Sequence, residues 1–216
     1  MISDTKVVAI GGGTGLSTML KGLKLHTHNI TAVVTVADDG GSSGILRSDL
    51  GMLAPGDVRN CVSALAEVDP VMGELLNFRF KDGSLKGHSL GNLFLAALNE
   101  TSSSFDEAVK KFSHLTGVVG TVYPVTNESV TLSALLEDGR LIEGESHIGV
   151  HHDGPKNGIV KLMVNPEKPK AVDGVIKALE KADIIVLGPG SLYTSIIPNL
   201  LVDGVVDAIK KSNAVK

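Results

Sequence analysis

Apolar residues fall into short runs and helical spacings that alternate along the chain. Residues 7–10 are wholly apolar, and Leu16, Met19, Leu20 and Leu23 then recur at the spacing of one helix face. Residues 30–36 form a β-branched run of the kind that fills a strand buried on both faces. Helical spacing returns over 58–66, 90–98 and 106–115. Residues 182–187 read as another buried strand, and 202–211 as a closing helix. Between these lies a different grammar. Residues 118–125 and 130–136 alternate with period two, and Asp138-Gly139 between Leu136 and Leu141 signals a hairpin. A further strand over 159–164 follows a turn at 149–158 that holds His151, His152 and Asp153, read as a solvated loop rather than a metal cluster. Pro166 and Pro169 mark the return to the first grammar. The pattern predicts one α/β domain over 1–216, a Rossmann-like three-layer core with a mostly parallel sheet, carrying a small antiparallel β insertion over 118–165.

Three predicted strands end in turns rich in Gly, Ser, Thr and Asp. The first is Gly11-Gly12-Gly13-Thr14-Gly15, the second Asp38-Asp39-Gly40-Gly41-Ser42-Ser43-Gly44, the third Gly188-Pro189-Gly190-Ser191. A strand, a glycine turn and a helix start in that order offer backbone N–H groups to a phosphate, and glycine permits close approach and positive φ. The first turn matches neither standard spelling. A P-loop needs Gly-Lys-Ser or Gly-Lys-Thr after the turn, and a strict dinucleotide fingerprint needs a small residue where Leu16 stands. In open parallel sheets ligands bind beyond the carboxyl ends of the strands, so three such turns on one edge predict one cleft. Asp38 and Asp39 could accept from ribose hydroxyls, hold Mg²⁺ together with substrate phosphates, or simply form an Asx turn. Asp57 is placed as the N-cap of the next helix. Arg59 in its first turn opposes the helix dipole and suits an anion contact better than a local role. His88 and Asn92 open another helix and could face a ligand.

Composition narrows the classes. The 216 residues carry a net charge of −4, 3% aromatics and a single cysteine, Cys61. There is no basic stripe or stacking platform for nucleic acid, no disulfide framework and no cysteine-rich metal site. No apolar run reaches membrane-spanning length and no charged leader precedes an apolar stretch, so a cytoplasmic protein without membrane insertion is expected.

Taken together, the three glycine turns, Pro55-Gly56-Asp57-Val58-Arg59-Asn60, Gly87-His88-Ser89-Leu90-Gly91-Asn92 and the extension Leu192-Tyr193-Thr194-Ser195 resemble the YvcK family over Lys6 to Lys210. These are the gluconeogenesis factors, related to the 2-phospho-L-lactate transferases (CofD). The resemblance implies a cytoplasmic protein with a Rossmann-like core that binds UDP-sugars and supports cell shape during gluconeogenic growth. Its transferase relatives move a phospholactyl group from a nucleotide diphosphate onto a deazaflavin with Mg²⁺. The resemblance further implies that Gly12, Gly13, Thr14 and Gly15, following Gly11, hold the diphosphate. Asp38 and Asp39 would lie at the cleft mouth, with Asp57, Arg59 and Asn60 along its wall. His88, Asn92, Gly190, Ser191 and Thr194, with Gly188 at the base of the third turn, would complete the pocket. Family chains continue past Lys216 with a Met-Thr-Gln-Pro-Gly-Glu-Thr segment, whose contacts these residues do not supply.

Three functions follow as expectations. The first is a regulator that binds a UDP-sugar or other nucleotide without turnover, with room for a homo-oligomer. The second is a Mg²⁺-dependent transferase acting on a nucleotide-diphosphate-linked substrate, in which Arg59 would stabilise developing charge. The third, an NAD-dependent oxidoreductase, is opposed by Leu16. No cofactor is fixed by the residues alone.

Overall fold

A computed structural model describes residues 3–150 and 157–216. The His151, His152 and Asp153 loop therefore lies outside the described residues. Four strands form the main sheet: β1 (Val7–Gly11), β2 (Ile30–Val34), β3 (Thr121–Pro124) and β7 (Ile184–Leu187). All pair in parallel in the order β3-β2-β1-β7. The chain steps outward one way from β1 to β2 and the other way to β7. The switch point, where connections diverge and leave a crevice, falls at the carboxyl ends of β1 and β7.

The strands feed two helical layers by simple alternation. Ala9, Ile30, Ala32 and Val34 point into one core and Val8, Ile10 and Val33 into the other. The first core is closed by α1 (Thr14–Leu23) through Leu16 and Leu20, and by α3 (Gly56–Leu65) through Val58, Cys61, Val62 and Leu65. Behind them lie α5 (Leu90–Glu100) and α6 (Phe105–Leu115), whose Leu95, Ala108, Val109 and Phe112 are buried at helical spacing. The second core is closed by α8 (Asp173–Lys181) and α10 (Val205–Lys211), through Val175, Leu179, Val205 and Ala208. Full burial of such side chains contributes about 1.5–3 kcal/mol each before ordering costs.

A smaller antiparallel sheet, order β5-β4-β6, is built from β4 (Thr131–Leu136), β5 (Leu141–Glu143) and β6 (Ile159–Asn165). Leu132 and Ala134 turn its inner face onto the first core. The Asp138-Gly139 hairpin is present, with Gly139 at φ +85°. Two expectations need correction. Residues 118–125 do not join the antiparallel sheet, because Thr121–Pro124 pairs parallel to β2. As the outer strand it is half covered, with alternate residues buried, and so mimics the period-two signature of a hairpin. At the other edge, β7 is not buried on both faces: Ile184 and Leu187 are 36% and 46% exposed. Among the described residues no helix is long and apolar enough to cross a membrane.

The remaining elements frame the cleft. They are α2 (Gly41–Leu50), α4 (Pro70–Asn77), the short α7 (Glu145–Gly149), a π-helical turn Leu192–Ile196 and α9 (Ile197–Leu200).

Candidate functional site

The loop after β1 approaches its neighbours more closely than side chains allow. A Cβ on Gly13 would stand 2.8 Å from the Asp57 Cα, and one on Gly12 would stand 2.7 Å from the Ser195 Oγ. One on Gly15 would stand 2.7 Å from the Pro189 carbonyl oxygen. None of these glycines has a positive φ, which instead occurs at Gly41 and Gly188. In this loop glycine serves close packing of protein on protein, and the expectation of positive φ is corrected. Asn199 secures the same junction by donating to the carbonyl oxygens of Gly11 and Ser195, at 3.2 and 2.8 Å. Helix α1 starts at Gly13 without a capping side chain, so the N–H groups of its first turn remain available to a ligand.

The loops after β1 and β7 and the Asp38 turn meet around a cavity of about 250 Å³. It is lined by Gly13, Thr14, Gly15, Asp38, Asp57, Glu145, Gly190, Ser191 and Ser195. A second cavity of about 190 Å³ shares Asp38 and Asp57 with the first. Its other walls are the start of α2 (Gly41, Ser42, Ser43), Gly40, Gly56, Arg59, Asn60, Arg79 and Asn92. The two cavities form one cleft with Asp38 and Asp57 at the seam.

Charge is divided across that seam. The lobe at the glycine loop holds Asp38, Asp57 and Glu145, whereas the other holds Arg59 and Arg79. Burial pushes the Asp57 carboxyl up to about 7, and the nearby Asp38 carboxylate adds to the shift. A hydrogen bond from the Gly13 N–H opposes it, and Glu145 raises it a little further. Asp57 was expected as an N-cap, but the cap of α3 is Pro55. Asp57 lies inside the first turn and reaches back to the glycine loop. Glu145 is itself raised, chiefly by burial and also by Asp38 and Asp39, against a hydrogen bond from Thr194. Burial lowers the Arg59 guanidinium, and the adjacent Arg79 cation lowers it further, without removing its charge.

A chain of side-chain hydrogen bonds fixes the cationic lobe. Arg59 Nε donates to Asn92 Oδ1 at 3.2 Å and its Nη1 to Asn77 Oδ1 at 2.8 Å. Asn92 Nδ2 donates to Ser42 Oγ at 3.1 Å, and Ser42 Oγ lies 2.9 Å from His88 Nδ1. Ser42 Oγ therefore links Asn92 to the His88 ring. Ser89 caps α5 by accepting from the Asn92 N–H at 3.2 Å, which sets Asn92 for this role.

Seven of the residues singled out in the sequence line the first cavity: Gly13, Thr14, Gly15, Asp38, Asp57, Gly190 and Ser191. Arg59, Asn60 and Asn92 line the second. Gly11, Gly12, His88, Gly188 and Thr194 stand behind the walls, buried. Asp39 also stands outside both linings: its Oδ2 and Oδ1 accept from the Glu145 and Ser146 N–H groups, each at 2.9 Å. It thereby anchors α7, and through it the small sheet, to the main core. Residues that sequence reasoning did not single out are Glu145, Arg79, Ser195 and the start of α2. The α2 residues carried a signal in the Gly40-Gly41-Ser42-Ser43-Gly44 turn, and Ser195 in the Leu192-Tyr193-Thr194-Ser195 segment.

The family model described as 2-phospho-L-lactate transferase CofD matches residues 7–216. A relative from Thermoanaerobacterium thermosulfurigenes, named "Putative gluconeogenesis factor", is 57% identical over 215 residues, covering 100% of this chain and 67% of its own. The Clostridium acetobutylicum protein of the same name is 53% identical, covering 100% of this chain and 48% of its own. A crystal structure of a UPF0052 family member from Bacillus halodurans superposes with a TM-score of 0.93 at 46% identity, over 99% of this chain and 68% of that one. The chain thus spans about half to two thirds of the length of the curated relatives it matches. With a family match across the core and relatives at this identity, the chain belongs to the CofD family, among its gluconeogenesis-factor (YvcK, UPF0052) members.

Proposed function

We propose that the cleft binds a nucleotide diphosphate, specifically a UDP-sugar, and that the protein acts in the cytoplasm as a ligand-sensing regulator of cell shape during gluconeogenic growth. One observation carries the binding half: residues from the loops after β1 and β7 and from the Asp38 turn line a single cavity at the switch point of the sheet. The relatives' names, gluconeogenesis factor, support the gluconeogenic part of that reading alone. Thr14, Gly15 and Ser191 line the first cavity and offer neutral donors to phosphate oxygens.

Mg²⁺ fits this cleft as a partial shell. Asp38 and Asp57 supply hard oxygen donors, and the ion commonly takes its remaining ligands from phosphates and water. Among the described residues no three His, Cys, Asp or Glu side chains gather into a metal site. When bound, the ion would neutralise diphosphate charge against the acidic lobe.

A second reading, a Mg²⁺-dependent transferase, is favoured by the CofD family match and by the two carboxylates, Asp38 and Asp57, that line both cavities. Calorimetric titration with UDP-N-acetylglucosamine, NAD and GTP, followed by mass spectrometry of each mixture, separates the readings. The regulator predicts saturable UDP-sugar binding and an unchanged ligand. Mg²⁺-dependent consumption of a nucleotide would replace it with the transferase, and preference for NAD would overturn both.

A further inference from the structure

We infer that the protein pairs with a second copy of itself across the outer face of α4, the two helices lying antiparallel about a two-fold axis. This goes beyond the nucleotide reading and stands without it.

The first argument is a helix that leaves most of its apolar side chains in water. Val71 and Met72 stand one turn before Leu75, and Phe78 one turn after it, so all four share one face. Each is 45% to 64% exposed, and Leu76 is the one buried residue of the helix. Phe78 extends the face to Phe80, the two rings meeting edge to face at 5.1 Å. Asp69 caps α4 by accepting from the Val71 N–H at 2.9 Å, and Pro70 opens it. These local signals fix the start of the helix. At eight residues, however, it is too short to persist without packing, and α5 covers only its inner side. Large apolar residues gathered on one exposed face mark a contact surface.

The charges around that face identify what covers it. Residues 66–77 carry Glu67, Asp69 and Glu74 and no lysine or arginine. Residues 78–88 carry Arg79, Lys81 and Lys86 against a single carboxylate, Asp82. Glu67, Asp69, Glu74, Arg79, Lys81 and Lys86 are all exposed, and none forms an ion pair among the described residues. The basic end is held beside the helix: the Phe80 N–H donates to the His88 carbonyl oxygen and the Gly87 N–H to that of Phe80, each at 2.9 Å. An apolar strip with acids at one end and bases at the other complements itself when a copy is turned end for end. A partner of uniform charge would be repelled at one end. The helix also ends at Asn77, which accepts from Arg59 Nη1 at 2.8 Å, so the paired face braces the cationic wall of each cleft.

Sedimentation equilibrium of the intact chain at low salt, from about 1 to 100 μM, tests the pairing. A monomer–dimer equilibrium with a dissociation constant in that range is expected for a patch of this size. Leu75→Glu, at an exposed position, should weaken the dimer roughly 30-fold or more, with the melting temperature of the dilute monomer unchanged. Leu141→Glu, at an exposed leucine of the small sheet, should leave the dimer as it is. Glu74→Lys and Lys81→Glu should each weaken it. An equimolar mixture of those two chains should associate several-fold more tightly than either alone, since end-for-end packing sets each altered end against the other. A monomer across the whole range, a dimer indifferent to Leu75→Glu, or a mixture no tighter than its parts would overturn the proposal.

Discussion

Asp57 occupies the position where the cleft's two halves meet, and its chemistry follows from that place. A carboxyl raised from 3.8 to about 7 binds its proton more tightly in the folded chain than in the unfolded one. Folding is therefore favoured most below pH 4, and this contribution is lost as pH rises through 7. Asp57→Asn, which keeps the shape and removes the ionisation, should abolish that slope. Relative to wild type it should gain roughly 3–4 kcal/mol between pH 4 and pH 8. Urea denaturation of both proteins across that range would read the difference; parallel curves would show that Asp57 ionises normally. Thr14, exposed at the start of α1, belongs to the same scale. Thr14→Val should weaken diphosphate binding by about 1.5–3 kcal/mol, one hydrogen bond to a charged group. Unchanged affinity in calorimetry would remove Thr14 from the site.

At the scale of elements, the site depends on joints as much as on loops. Asp39 holds the first turn of α7 from 106 residues away in sequence, and so sets Glu145 beside Asp38. Asp39→Ala should cost about 1 kcal/mol as a lost cap and should free α7 from the core. Hydrogen exchange would detect this as faster exchange at Glu145 and Ser146, with β1 and β2 unaffected. Equal protection in variant and wild type would contradict the joint. This joint also explains what the sequence could and could not convey. Glycine turns at strand ends are local signals, and the residues they mark, Gly13, Thr14, Gly15, Gly190 and Ser191, line one cavity. Glu145 and Arg79 sit in segments without periodicity, and only long-range pairing brings them in. Tertiary placement likewise decided β3 and β7, since a strand's position in the sheet sets which of its residues are covered, whatever its own pattern.

For the whole molecule, topology does most of the positioning. Parallel strands deliver their carboxyl ends to one rim, and divergence on either side of β1 and β7 leaves the crevice open there. The small sheet lies against the first core and contributes α7, so a unit distinct in strand pairing still supplies one wall of the cleft. The resulting trough carries acids at the glycine loop and arginines toward α2. That polarity dictates how an elongated anionic ligand lies in it. A crystal structure with UDP-N-acetylglucosamine soaked in tests this most directly. The ligand is expected in the trough, touching both the Gly13–Gly15 turn and Gly190–Ser191. Ligand density at the opposite end of the sheet, in the cavity beside Lys6 and Lys181, with the trough left empty, would contradict it.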